Sequence, residues 1–221
     1  MTGWLALVGG HEWTDGTRPV DELLIKESGA KDVLVVPTAA AYEQPQNVVA
    51  AATEYFGELG VKVKAANVYG RTAATDKANV KAVRAATLVY FGDGSPLHMR
   101  SVFKDTPWWD ALVEAWNGGT AVAGTGAGAM VLGDPMVDPR GGAFTLGLGL
   151  IPSLAAMTKT QDWHDETKRR TIQLATKGLP LVAVDDATAA VRSPKGEWSV
   201  LGAGAATVYV DGAEESLTRL P

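Results

Sequence analysis

The chain has 221 residues, 46% of them hydrophobic, enough for one well-buried domain spanning 1–221. A formal charge of −5 argues against nucleic acid or an anionic membrane surface as a partner. Cysteine is absent, which removes disulfides, thiolate metal sites and a cysteine nucleophile, and no run of about 20 apolar residues predicts a membrane span.

The first ten residues lack a basic stretch and a long apolar core, so no signal peptide is expected and the protein reads as cytoplasmic. Trp4 to Val8 reads as a strand ending at Gly9-Gly10, and Val33 to Val36 as a second, closed by Pro37. Val48 to Leu59 has helical spacing and stops at Gly60, before a strand from Val61 to Val68. Asp76 to Ala86 reads as a helix, Leu88 to Phe91 as a strand, and Trp108 to Trp116 as a helix ended by Gly118-Gly119. Thr120 to Ala123 is a strand that runs into Gly124-Thr125-Gly126-Ala127-Gly128, and a helix starts at Ala129. A hairpin is expected from Met136 to Phe144 around Pro139–Gly142, then a helix from Glu166 to Leu174. Four short strands close the chain: Leu181–Val184, Ala187–Val191, Trp198–Leu201 and Ala206–Val210. Strict alternation predicts an α/β three-layer sandwich with a mainly parallel central sheet and an antiparallel C-terminal edge.

Residues 120–132 carry the most specific signal. A strand, a tight turn of small residues and a helix form the elbow on which hydrolases hold a strained, exposed serine. The central position here is Gly126, which has no hydroxyl, so an acyl-enzyme lacks its attacking atom. Thr125 is one position early and points away from the pocket. In parallel α/β sheets ligands bind at the carboxyl ends of the strands. The loops expected there are Gly92–Pro96, Gln161–Asp165 and Asp185–Thr188. They supply a histidine to move a proton and carboxylates to orient it.

Five segments in one order resemble the serine peptidase family of cyanophycinase and alpha-aspartyl dipeptidase (peptidase E). They are G-D-G-S-P-L-H-M-R-S, G-T-G-A-G-A-M, G-G-A-F-T-L-G-L-G-L-I-P, D-W-H-D-E-T-K-R-R and V-D-D-A-T-A-A-V. The resemblance implies a class I glutamine amidotransferase-like, flavodoxin-related fold and hydrolysis of small aspartyl peptides by a Ser-His-acid arrangement without metal or cofactor. It puts Gly126 in the nucleophile's place, His164 in the base's, and Asp185 and Asp186 on an acidic pair. Ala127 and Gly94 would donate to an oxyanion. Asp93 departs from a family glycine, and a carboxylate there opposes the negative charge an oxyanion hole stabilises. The expected ligand is a small acidic peptide or amino-acid derivative, with Asp93, Ser95, Arg140 and Arg170 (or Arg100) as contacts. A homodimer stays open.

Other readings attach to the same residues. Gly124-x-Gly126-x-x-Ala129 also fits the dinucleotide fingerprint, but no acidic residue follows about 20 positions on to hold a ribose. The missing serine fits either natural divergence or inactivation of an active peptidase by mutation. His11 and His98 read as structural or solvent-facing. Three histidines without metal-ligand spacing make a metal site unexpected.

Overall fold

A computed structural model describes all of residues 1–221. Its central sheet has seven strands in the order β13-β12-β1-β5-β4-β2-β3. These are β1 (Leu5–Val8), β2 (Asp32–Val36), β3 (Lys62–Ala65), β4 (Leu88–Phe91), β5 (Ala121–Thr125), β12 (Thr188–Arg192) and β13 (Trp198–Gly202). Strands β1 to β5 pair in parallel, while β12 runs antiparallel to β1 and β13 antiparallel to β12. The expected antiparallel edge is therefore present.

Alternation along each strand feeds two cores, because successive side chains point to opposite faces. Leu5, Leu7, Val89, Phe91 and Val122 enter one core, and Ala6, Val8, Leu88, Tyr90 and Ala123 the other. Helices α1 (Arg18–Ser28) and α2 (Pro45–Glu58) cover the second face through Val20, Leu24, Ala52 and Phe56. The first face takes the short α3 (Arg71–Ala74), α4 (Lys77–Arg84), α5 (Pro96–Phe103), α6 (Pro107–Asn117) and α7 (Ala127–Leu132). Phe91 meets Phe103, Trp108 and Trp109 there, edge to face.

The C-terminal strands divide between two sheets rather than forming one edge. A second sheet has the order β10-β11-β14-β15, made from β10 (Ala155–Thr158), β11 (Leu181–Val184), β14 (Ala206–Val210) and β15 (Ala213–Glu215). Its apolar side chains join the larger core, so it packs on the sandwich from the α7 side. The expected hairpin is a two-residue pairing of β7 (Met136–Val137) with β8 (Phe144–Thr145). A parallel pair, β6 (Gly133–Asp134) and β9 (Ile151–Pro152), flanks it. Helix α8 (Asp165–Leu174) follows a 3-10 turn at Thr160–Asp162.

Several elements escaped the sequence reading, among them the short α3, β6, β9 and β15, and three longer ones. Helix α1 is signalled by Pro19 in its first turn and Gly29, whose left-handed φ of 64° ends it. Helix α5 is capped by Ser95, which accepts from His98 N at 3.2 Å. Strand β10, Ala155-Ala156-Met157-Thr158, is fully buried but has only one β-branched residue, so it lacks the valine-rich signature of the other buried strands. Helix α7 also starts at Ala127, two residues before the expected start, and β5 continues through Thr125.

Candidate active site

Strands β1, β4 and β5 end side by side, with Val8 opposite Thr125 and Phe91 opposite Gly124. At the end of β5, Gly126 adopts φ 52° and ψ −116°, the sharp strand-to-helix turn of a nucleophile elbow. Its N–H donates to Val8 O at 3.1 Å, and its carbonyl accepts from Met130 N at 3.1 Å. Helix α7 lies tight against the sheet, which only glycine allows: a Cβ on Gly128 would fall 2.6 Å from Phe91 O.

The space in front of Gly126 is filled by Asp93, from the loop after β4. A Cβ on residue 126 would overlap the Asp93 carboxylate, with even the farther oxygen, Oδ2, only 2.9 Å away. Asp93 Oδ1 accepts from Ala127 N at 2.8 Å, and Oδ2 forms an ion pair with Lys159 Nζ. Ala127 N–H, expected as an oxyanion donor, is thus engaged by a fixed anion.

Lys159 follows β10 with a left-handed φ of 53°, and its N–H donates to Gly9 O at 2.8 Å. Burial alone would depress its ammonium's pKa. The hydrogen bond and charge of Asp93, with Glu12 and Asp186 behind it, outweigh burial and hold it above its ordinary value. Glu12 accepts from Thr125 Oγ1 at 3.0 Å, so the Thr125 hydroxyl is tied to the loop after β1. Burial pushes the Glu12 carboxyl above its ordinary value, against the lowering effect of its own backbone amide and the Thr125 hydroxyl. Sequence reasoning missed both Lys159 and Glu12; their only signal was proximity to strand ends, which needs the fold.

The structure does not bring His164 to the acidic pair. His164 is the exposed residue preceding α8 and accompanies Arg140, Lys159, Asp162 and Trp163 around a cavity of about 280 Å³. Asp185 instead accepts from Thr160 Oγ1 at 2.7 Å and Ala205 N at 3.1 Å. Asp186 faces His11, whose Nδ1 lies 3.1 Å from Asp186 Oδ2. His98 has a structural place, with Nε2 3.1 Å from Tyr69 O.

The remaining expected contacts also have definite places. Ser95 caps α5 and is held there rather than presented to a ligand. Gly94 turns with φ 134°, a close approach to the carbonyl of Ala39. Arg140 makes a two-pronged pair with Asp138 (2.9 and 2.8 Å), which holds that carboxyl well below the usual carboxylate range. Arg170 lies along Gly142, within 3.2 Å of where a Cβ there would be. Arg100 Nε donates to Gly147 O at 3.3 Å.

A second cavity, of about 150 Å³, is lined by Asp93, Gly94, Ala127, Lys159 and Trp163 and adjoins the first. A larger one, of about 580 Å³, lies among Lys77, Lys81, Arg84 and Pro107, remote from these residues, so size alone does not mark the site. No helix is long and apolar enough to cross a membrane.

An elbow between parallel strands, backed by a buried helix, defines a hydrolase-type α/β site. The profile of peptidase family S51 matches residues 5–145, and the chain belongs to that family. It is 26% identical to the cyanophycinase of Nostoc sp. over 97% of this chain and 76% of that protein. The cyanophycinase of Synechococcus elongatus is 24% identical over 98% of this chain and 70% of that one. The crystal structure of a peptidase from an acI-B1 actinobacterium superposes with a TM-score of 0.85 at 27% identity, covering 97% and 93% of the two chains. A putative peptidase E protein from Listeria monocytogenes EGD-e shares the fold, with a TM-score of 0.70 at 15% identity, over 92% of this chain and 100% of that one.

Proposed function

We propose that this S51 protein does not form an acyl-enzyme, and that it holds a small acidic peptide or amino-acid derivative in the groove beside the elbow. One observation carries the first half: Gly126 offers no oxygen, and Asp93 fills the space where one would stand while occupying Ala127 N–H. For the second half, the two adjoining cavities share Pro139, Lys159 and Trp163 and run from Gly94 to His164. Of the lining residues, Lys159 and Arg140 carry positive charge, each already paired with a carboxylate (Asp93 and Asp138), so a carboxylate-bearing ligand shares these cations with them. Calorimetric titration with aspartyl dipeptides, paired with a hydrolysis assay, tests both halves. Binding without turnover is expected. Turnover by the wild-type chain overturns the first half, and no heat at millimolar dipeptide overturns the second.

A further inference from the structure

The smaller of the two adjoining cavities, about 150 Å³, is walled beside the elbow mainly by residues without charge. Pro96 from the start of α5, Ala127 and Met130 from α7, and Thr158 from β10 are all buried and form its base. Pro139 and Trp163 stand between it and the neighbouring cavity, which they also line. The indole of Trp163 is fixed against Gly141, where a Cβ would lie 3.0 Å from its Cζ3. A cavity of about this volume with apolar walls takes a group the size of benzene.

The two charged residues that reach this cavity cancel each other. Lys159 gives its ammonium to Asp93, and Glu12 and Asp186 add negative charge around the same ammonium. Three carboxylates thus face one cation. A ligand carboxylate entering here would leave water without an unshared positive partner and against like charge, a loss on the order of a hundredfold in affinity. An aliphatic side chain meets no such penalty, and each carbon it buries improves binding by about threefold to fourfold.

We propose that this cavity is a side-chain pocket for an aliphatic residue about the size of valine or leucine, so that the ligand pairs such a residue with an aspartyl residue. This rests on the small-peptide reading given above and names its second residue. The aspartyl carboxylate then lies in the neighbouring cavity. Arg140 lines that cavity, its side chain is 84% exposed, and it gives Asp138 one N–H from Nε and one from a terminal nitrogen. A guanidinium has five such donors, so Arg140 keeps others for a ligand. Met130 sets the depth of the aliphatic pocket and is its specificity-determining residue.

Two measurements on the wild-type chain test the proposal. The ε-methyl of Met130, labelled with carbon-13 and assigned through Met130→Leu, should shift saturably with N-acetyl-leucine amide at millimolar concentration. N-acetyl-aspartate α-amide has the same backbone and a charged side chain, and it should need at least about tenfold more. Equal or tighter binding of the aspartate amide, or a Met130 methyl that neither compound moves, overturns the proposal. Calorimetry on Asp-Gly, Asp-Ala, Asp-Val and Asp-Leu should show affinity rising by about threefold for each added carbon, with Asp-Asp at least about tenfold weaker than Asp-Leu. Affinities indifferent to side-chain size, or Asp-Asp as the tightest, overturn it as well. If no dipeptide gives heat while the leucine amide still moves Met130, the small-acidic-peptide reading of the site fails and the aliphatic pocket stands.

Discussion

Asp93 and Gly126 compete for one volume: the carboxylate lies where a side chain on residue 126 would begin, and it is fastened there by Ala127 N–H and Lys159. A side chain at position 126 and the Asp93 carboxylate therefore exclude each other, and glycine at 126 is what leaves room for Asp93.

Gly126→Ser alone is accordingly expected to destabilise the chain and leave it inactive. The new side chain must expel Asp93 from its two partners and sit at φ 52°, each a cost on the order of 1–3 kcal/mol. For a chain of this length, each kcal/mol lowers Tm by about 2–4 °C. Adding Asp93→Gly removes the collision and frees Ala127 N–H, so the double variant should regain most of that Tm and acquire aspartyl-dipeptide hydrolysis. Calorimetric melting and a dipeptide assay on both variants check this; a single variant as stable as wild type would show that Asp93 does not obstruct position 126.

Asp21 gives the fold its own pH dependence. It is 1% exposed, accepts from Tyr55 OH at 2.9 Å and has a second oxygen without a partner. Burial pushes its carboxyl up to about 7, against 3.8 when free, despite the lowering effect of the Tyr55 hydroxyl. The folded chain therefore holds a proton that the unfolded chain releases. Stability from this group is fully present below about pH 4 and is lost as pH rises through about 7, on the order of 4 kcal/mol in all. Asp21→Asn should flatten this decline in urea melts between pH 4 and 8, and Tyr55→Phe, which removes a bond that lowers the carboxyl's pKa, should extend it to higher pH. An unchanged profile for Asp21→Asn would place the titration elsewhere.

The glycines of the elbow are not equivalent to those of exposed helices. Gly128→Ala would put a Cβ 2.6 Å from the carbonyl oxygen of Phe91, a backbone atom inside the sheet. A loss of about 3 kcal/mol or more, or failure to fold, is expected. Gly57→Ala, in α2 with nothing within 4 Å, should instead stabilise by about 0.5–1 kcal/mol. Chemical denaturation of the pair gives opposite signs; equal effects would mean that α7 is not pressed against β4.

The sheet and the elbow were legible because alternation, Gly-Pro punctuation and the small-residue turn are local signals. Strand β10 was not: Ala155-Ala156-Met157-Thr158 lacks the valine- and leucine-rich run that marks the other fully buried strands, such as Leu5–Val8 and Leu181–Val184. Chain order put His164 beside the acidic pair, but after the 3-10 turn at Thr160–Asp162 it stands exposed at the start of α8. The partner of Asp186 comes instead from His11, 175 positions earlier, brought there by the antiparallel pairing of β1 with β12. Lys159 and Glu12 were invisible for the same reason: nothing within a few residues of either marks it, and only strand register places them.

The most direct measurement is intact-mass spectrometry after treatment with a fluorophosphonate. The wild-type chain should gain no mass, and Gly126→Ser/Asp93→Gly should gain one adduct, located on the introduced hydroxyl. An adduct on the wild-type chain, on Thr125, Ser95 or any other residue, would contradict the vacated, carboxylate-filled elbow.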